Sequence, residues 1–207
     1  MMAIKHVVFD IGGVLIHWDP EIPFRRLIED EAERRRFLAE ICSPAWNHEQ
    51  DRGRSWQDAE AELIAVHPER ADLIRAFRKH WMEMIPYAYD DSVAILREVI
   101  AMGMDVTLLT NWAADTFAEA EKLFDFLAEP RGVSVSGRLK MAKPEPEIFH
   151  HHAKAFGLDP QATLFIDDSP KNVEAAIRAG WQAIRHEGPE QLRKELRAAG
   201  VMVAPAG

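Results

Sequence analysis

Three short apolar runs, each ending in polar residues, constrain the fold of this 207-residue chain most strongly. The runs span residues 7–9, 106–109 and 164–166, and they end at Asp10, at Thr110 and Asn111, and at Asp167 and Asp168. A buried strand that ends in polar side chains presents them at the edge of a parallel sheet, where open α/β sheets bind ligands. Together with Lys143, these residues predict a site that handles an anion with the help of a metal ion.

Helical stretches separate the runs, and this alternation predicts the architecture. We expect strands over residues 4–9, 105–109, 132–135, 163–166 and 183–184. We expect helices over residues 91–102, 113–127, 144–156, 170–179 and 188–199. Strands that alternate with helices of ten or more residues are typical of βαβ units. The sequence therefore predicts an α/β core with a parallel sheet flanked by helices.

Residues 17–86 differ from the rest of the chain in composition and pattern. They are rich in Glu, Arg, Ala and Leu, with apolar residues at helical spacing and no strand alternation. This helical segment interrupts the core after the first strand. We therefore expect two domains, an α/β core formed by residues 1–16 and 87–207 and a small all-helical cap formed by residues 17–86.

Composition and charge exclude several classes of function. A chain with 47% hydrophobic and 29% charged residues is typical of globular proteins. The net charge of −9 argues against a nucleic-acid surface, because backbone phosphates require clustered Lys and Arg. The single Cys42 excludes an internal disulfide and a multi-cysteine zinc site. The pattern contains neither a signal sequence nor a membrane-length apolar run, so we expect a soluble, cytoplasmic protein without a membrane partner.

The polar segments, in their order along the chain, resemble the motifs of the haloacid dehalogenase superfamily of hydrolases. The first motif is Asp10-Ile11-Gly12-Gly13, and the others are Thr110-Asn111, Lys143-Pro144 and Asp167-Asp168. The similarity extends over residues 4–15 and 104–185, with the helical segment where one class of the family has its cap. It implies a Rossmann-like core and the phosphatase-like subgroup with an Asp-x-Gly first motif.

The resemblance also implies roles for individual residues. Asp10 would be the nucleophile, forming a covalent ester that water later hydrolyses. Gly12 and Gly13 would let the backbone fold closely around the ligand. Thr110 and Asn111 would hold phosphate oxygens, although both residue types also favour helix N-caps. Lys143 would neutralise Asp10 and the transferred group, with Pro144 at the start of the helix that positions it.

The paired acids of the fourth motif imply a metal ion. Asp167 and Asp168 would repel each other and Asp10 unless a cation lay between them. Mg²⁺ suits a site with oxygen ligands that is shared with phosphate. By the resemblance, Asp10, Asp168 and the carbonyl of Gly12 would be ligands, and Asp167 would bind directly or through water. Asn172 would support this site or only stabilise the start of its helix.

One position departs from the family pattern. Phosphatases of the superfamily usually carry a second aspartate two positions after the nucleophile, as general acid and base, where this chain has Gly12. Loss of such a group typically removes about 10²–10⁴-fold of the rate. The side chain of His17, of Asp19 or of a residue in the helical segment could supply the proton instead.

The polar stretch from residue 46 to residue 53 is the best candidate for a substrate-facing part of the helical segment. Within it, we expect His48 and Arg52 to bind substrate. The alternative interpretation is an ordinary polar connection between two helices.

These observations favour a Mg²⁺-dependent phosphatase that hydrolyses a small phosphorylated metabolite through an aspartyl-phosphate intermediate, as a monomer or homodimer. A 2-haloacid dehalogenase is one alternative. Its carboxylate substrate would have to enter beside three acids, and dehalogenases of the family carry Ser and Asn around the fourth motif. A scaffold that binds a phosphorylated ligand with weak or no turnover is the other alternative, supported by Gly12.

Overall fold

The strands form one sheet in the computed structural model, which describes residues 3–205. The sheet has five strands, namely β1 (His6–Phe9), β2 (Asp105–Thr110), β3 (Val133–Val135), β4 (Thr163–Asp167) and β5 (Gln182–Arg185). All neighbours are parallel, and the order is β3-β2-β1-β4-β5. The predicted α/β fold with a Rossmann-like parallel sheet is therefore confirmed.

The register of the central strand brings polar residues to one edge of the sheet. Phe9, the last residue of β1, pairs with Leu108 of β2 and with Ile166 of β4. Asp10 directly follows Phe9, and Asp167 directly follows Ile166. Two carboxylates therefore leave adjacent strands at the same level, as expected for the ligand-binding edge of an open α/β sheet.

Five α-helices lie between β1 and the rest of the core. They are α1 (Glu21–Leu27), α2 (Glu31–Arg36), α3 (Pro44–Asp51), α4 (Trp56–Val66) and α5 (Ala71–Lys79). Two of these helices have a serine N-cap. The hydroxyls of Ser43 and Ser55 accept hydrogen bonds from backbone N–H groups of α3 and α4. The segment is helical, whereas its division from the core as a separate cap domain stays a prediction.

Six further helices flank the sheet. They are α6 (Asp90–Ala101), α7 (Ala114–Ala120), α8 (Ser136–Leu139), α9 (Pro146–Phe156), α10 (Pro170–Arg178) and α11 (Pro189–Ala198). The short helix α8 was not expected. The helix predicted over residues 113–127 ends early, because the chain turns after α7 and buries Phe126 and Leu127 in the core.

The prediction that Pro144 starts a helix is wrong. The helix α9 begins at Pro146, with Glu145 at its N-cap. Proline favours the first turn of a helix at either position, because its missing N–H has no partner to lose there. Residues 143–145 are instead a connection that carries Lys143 to the edge of the sheet.

Apolar residues on alternate strand positions form two core clusters, one on each face of the sheet. Val7 and Phe9 belong to the larger cluster, which continues into the helical segment through residues such as Phe77. Val8 and Phe165 belong to the smaller cluster, on the opposite face. Both faces are covered, as is usual for parallel sheets. No helix in residues 3–205 combines the length and apolarity needed to cross a membrane, and the cytoplasmic location stays a prediction.

Candidate active site

A buried lysine is the centre of the site at the carboxyl edge of the sheet. The ammonium of Lys143, whose residue is 1% exposed, lies 2.8 Å from Oδ1 of Asp10 and 2.7 Å from Oδ2 of Asp167. It also donates to the backbone carbonyl of Leu109 at 3.0 Å. The ammonium thus joins the carboxylates that follow β1 and β4, and we call Asp10, Lys143 and Asp167 the ion triad.

Asn111 fixes the backbone of this lysine. Its side-chain N–H donates to the carbonyl of Lys143 at 2.8 Å, and its Oδ1 accepts from the N–H of Lys143 at 2.9 Å. Both polar atoms of the side chain therefore bind the backbone of Lys143, and one N–H of Nδ2 is left over. Asn111 also lines the adjacent cavity, and its expected role in holding phosphate oxygens stays a prediction. Thr110, the preceding residue, is buried at the edge of the sheet and lines the adjacent cavity.

The two acids of the fourth motif have different surroundings. Asp167 is fully buried, and its carboxylate accepts from the N–H of Ser169 at 2.8 Å and from Nδ2 of Asn172 at 3.0 Å on both oxygens. Together with Lys143, these donors occupy the carboxylate. Asp168 instead faces the cavity. Of the two, Asp168 is therefore the acid with access to a ligand.

Three carboxylates converge at this edge. One oxygen each from Asp10, Asp167 and Asp168 lie within 4.8 Å of one another. Burial raises the pKa of Asp10 well above its usual value; Lys143 opposes this rise and Asp167 adds to it. Burial, and then Asp167, raise the pKa of Asp168. Hard oxygen ligands with excess negative charge fit a divalent cation such as Mg²⁺.

The electrostatics of Lys143 follow from the same crowding. Burial alone lowers the pKa of its ammonium, but the negative charges of Asp10 and Asp167 outweigh burial and raise that pKa. The lysine is therefore a permanent cation at the site. One lysine does not balance three carboxylates, which is the physical reason that a cation fits here.

The turn after Asp10 is shaped by Gly13. This residue has a φ of +74°, which favours glycine, and a Cβ atom there would lie 2.5 Å from Oδ2 of Asp168. Glycine is thus needed for the close approach of Asp168 to the turn. Gly12 has no such restriction and lines the cavity beside it.

A cavity of about 290 Å³ opens beside Asp10, and we call it the Asp10 cavity. The core and the helical segment both contribute to its wall. The core residues are Asp10, Gly12, Gly13, Thr110, Asn111, Trp112, Lys143, Asp168 and Asn172, and the others are Trp18, Asn47, Asp51, Trp81 and Ile85.

The structure places a different pair of α3 residues at the cavity than the sequence predicts. Asn47 and Asp51 line the Asp10 cavity, whereas His48 and Arg52, which were expected to bind substrate, do not. Arg52 is paired with Glu145 at the start of α9. The two pairs differ by one position in sequence, which on a helix turns the side chain by about 100°. His48 and Arg52 have the same i, i+4 spacing as Asn47 and Asp51, so the sequence offers no signal that separates the two pairs. Substrate binding by His48 and Arg52 stays a prediction.

Three tryptophans form an aromatic wall of the cavity. Trp81 packs against Trp18 and Trp112, with ring centroids 5.0 and 5.2 Å apart. Within the described residues, the buried atoms Nε1 of Trp112 and Oδ1 of Asn47 have no hydrogen-bond partner. Trp18 and Trp81 were not predicted, because in sequence a tryptophan that borders a cavity cannot be told from one that packs in the core.

His17 and Asp19, the two residues of the sequence analysis that could supply a proton, lie outside the Asp10 cavity. His17 is hydrogen-bonded to the hydroxyl of Tyr89 at 2.8 Å and stacks on Tyr87. Asp19 accepts from the backbone N–H of Glu21 and from the side chain of Arg25. Neither residue lines the Asp10 cavity.

Comparisons with known proteins agree with this geometry. The family model of haloacid dehalogenase-like hydrolases matches residues 4–180. A sesquiterpene phosphatase of Aspergillus oryzae is 27% identical over 184 residues, which cover 85% of this chain and 86% of that protein. A phosphoserine phosphatase of Thermus thermophilus is 35% identical over 134 residues, or 59% of this chain and 52% of the relative.

A solved structure gives the same fold. It is a family enzyme of Bacteroides thetaiotaomicron in complex with magnesium and inorganic phosphate, with 25% sequence identity and a TM-score of 0.67. The alignment covers 92% of this chain and 99% of that one.

Proposed function

The chain belongs to the haloacid dehalogenase-like hydrolase family, and on that premise we propose that it is a Mg²⁺-dependent phosphatase of a small phosphorylated metabolite. The observation that carries this proposal is the ion triad, in which Lys143 joins Asp10 and Asp167 at the wall of a cavity. The relatives named as phosphatases and the neighbour that binds magnesium and phosphate support the same reaction.

Asp10 would act as the nucleophile. Its Oδ1 accepts hydrogen bonds from Lys143 and, at 2.7 Å, from the N–H of Ile11. Attack on phosphorus forms a bond from an Asp10 oxygen while the bond to the leaving oxygen breaks, which yields an aspartyl phosphate. Water then attacks the same phosphorus, and Asp10 and inorganic phosphate are released.

Charge balance would be shared between Lys143 and the metal. Mg²⁺, when bound, would neutralise the carboxylates and the phosphoryl oxygens, and Asp10, Asp168 and the carbonyl of Gly12 would hold it. Lys143 would favour the ionised form of Asp10 and hold its carboxylate in place, because the ammonium is anchored from the other side by Asp167. Thr110 would offer its hydroxyl to the phosphoryl group.

The helical segment (residues 17–86) would act as a cap over the reaction. It contributes Trp18, Asn47, Asp51, Trp81 and Ile85 to the wall of the Asp10 cavity. Those side chains would exclude bulk water and contact the part of the substrate beyond the phosphate. The cavity volume of about 290 Å³ suits a small metabolite.

The experiment is a phosphatase assay on a broad panel of metabolite phosphates with Mg²⁺ present. We expect turnover that Asp10→Asn and removal of the metal with EDTA both abolish. The exposed Asp72→Asn provides a matched control that should retain activity. Absence of turnover on the whole panel with a folded, Mg²⁺-loaded protein would refute the proposal.

One observation favours a second candidate function. Gly12 has no side chain that can transfer a proton, which is compatible with binding of a phosphorylated ligand without turnover. Tight Mg²⁺-dependent binding of a phosphate analogue, with no product formed, would support this candidate. The dehalogenase alternative gains nothing from the geometry, since three converging carboxylates would repel a carboxylate substrate.

A further inference from the structure

Phosphate-ester hydrolysis requires a proton for the oxygen that leaves. An alkoxide is a poor leaving group, so an acid near that oxygen raises the rate, and the same group can later take a proton from water. The position two residues after Asp10 carries Gly12, which can do neither. Another ionisable group at the Asp10 cavity therefore has to transfer the proton.

Four ionisable side chains line the cavity within residues 3–205, and they are Asp10, Asp51, Lys143 and Asp168. Asp10 is the nucleophile of the proposed reaction, and Asp168 belongs to the acidic cluster that fits a metal. The ammonium of Lys143 is held by Asp10, Asp167 and the carbonyl of Leu109. Of these four side chains, Asp51 is the one that belongs neither to the ion triad nor to the acidic cluster.

The position of Asp51 suits contact with the substrate. It is the last residue of α3, and it is partly buried in the wall that faces Asp10 and Lys143. Nδ2 of Asn47, one turn earlier on the helix, donates to its Oδ2 at 3.4 Å. No ion pair to Asp51 is present in the part of the chain that the structure describes.

Its surroundings allow both protonation states near neutral pH. Burial raises the pKa of Asp51 to about 7, while the backbone amide of Ala113 and the charge of Lys143 lower it. The other charged groups near it are Asp10 and Asp168 across the cavity, His48 and Glu49 on α3, and Arg52, which is paired with Glu145.

We propose that Asp51 is the general acid and base of this site and takes the place of the side chain missing at Gly12. The inference rests on the proposed phosphatase function. In the first step, Asp10 attacks phosphorus, the phosphorus–oxygen bond of the ester breaks, and the protonated Asp51 gives its proton to the leaving oxygen. In the second step, the Asp51 carboxylate takes a proton from the attacking water, and the bond between phosphorus and Asp10 breaks.

The test compares two leaving groups in Asp51→Asn with Mg²⁺ bound. On an alkyl phosphate such as glycerol phosphate, whose leaving oxygen needs a proton, we expect kcat/KM to fall about 10²–10⁴-fold. On 4-nitrophenyl phosphate, whose leaving group is stable as an anion, the first step should keep its rate. Rapid mixing should then show a burst of one equivalent of nitrophenol followed by slow turnover, because the second step still lacks its base.

Two variants keep the result interpretable. Glu49→Gln removes an exposed carboxylate from the same helix and should behave as wild type. Asp51→Glu retains an acid and should recover part of the alkyl phosphate activity. An unchanged rise in Tm with Mg²⁺ in Asp51→Asn would show that its fold and metal site are intact.

The outcomes separate this inference from the proposed function. Equal losses on both substrates without a burst, or no loss on either, would overturn the role of Asp51 while leaving the phosphatase intact. Absence of wild-type turnover on every phosphate ester would overturn the proposed function itself, and the role of Asp51 with it.

Discussion

The side chain of Asn111 makes two hydrogen bonds with the backbone of Lys143, one as donor at 2.8 Å and one as acceptor at 2.9 Å. The two residues are 32 positions apart in sequence, and the ammonium of Lys143 in turn joins Asp10 and Asp167. Asn111 therefore connects the end of β2 to the geometry of the nucleophile without contacting the nucleophile itself.

We expect Asn111→Ala to lower kcat about 10²-fold, which is the cost of displacing a catalytic group by about 1 Å. KM should change less, because the side chain of Asn111 acts through Lys143. Asn111→Asp keeps the acceptor for the Lys143 N–H and loses the donor, so its kcat should lie between those of the wild type and Asn111→Ala. Steady-state kinetics on one substrate measure the difference, and a rise in KM at constant kcat would instead indicate direct substrate binding.

Removal of the lysine charge should destabilise the fold. Lys143→Met leaves the buried carboxylates of Asp10 and Asp167 without a counter-ion, and breaking a buried ion pair in this way costs about 3–5 kcal/mol. Urea unfolding without metal measures the free energy of unfolding. Lys122→Met removes an exposed lysine and should change it by less than about 0.5 kcal/mol. A similar small loss in Lys143→Met would contradict a buried triad.

The sequence was sufficient to predict the parallel sheet and the polar residues at its edge. The apolar runs that end at Asp10 and Asp167 predict a contact between residues far apart in sequence, because strand register alone brings the two carboxylates to the same level. The pairing of Asn111 with Lys143 was not predictable, since it depends on how residues 143–145 cross the sheet edge.

The sequence also did not predict which face of a helix borders the cavity. The sequence identified the polar stretch on α3. A densely polar helix has no apolar stripe to show which side faces the core, and the predicted residues lie one position after those that line the cavity. Trp81 was hidden for the opposite reason. Its spacing in sequence is that of a core residue, and only the folded structure shows that it also lines the Asp10 cavity.

Gly13 should strengthen the binding of Mg²⁺. In Gly13→Ala the new Cβ would lie 2.5 Å from Oδ2 of Asp168, so that carboxylate has to move. We expect the affinity for Mg²⁺, measured by titration calorimetry, to fall at least about tenfold, which is 1.4 kcal/mol. In wild type, Mg²⁺ at 100 times its Kd should add about 2.7 kcal/mol to the free energy of unfolding.

A matched control separates this clash from backbone strain. Gly103 has a similar φ of +76°, but no atom lies within 4 Å of the position of its Cβ. Gly103→Ala should therefore carry the same strain and bind Mg²⁺ as wild type does. Equal affinities in the two variants would mean that Asp168 does not hold the metal.

The stability of the core should depend on pH through His152. Its imidazole is fully buried, with Nε2 2.9 Å from Oγ1 of Thr107 and Nδ1 2.8 Å from Oγ of Ser134. Burial lowers the pKa of His152 from 6.5 to about 3, so the folded chain cannot take up the proton that the unfolded chain binds below pH 6.5. Its contribution to stability is complete above pH 6.5 and is lost as the pH falls toward 3.

The change His152→Gln tests this dependence, because glutamine can hydrogen-bond both hydroxyls and does not titrate. Between pH 7.5 and 5.5, the wild type should lose about 1.4 kcal/mol more free energy of unfolding than the variant. Urea unfolding at the two pH values measures the difference, with the exposed His150→Gln of the same helix as a control that keeps the wild-type dependence. Parallel losses in wild type and His152→Gln would show that another group causes the acid sensitivity.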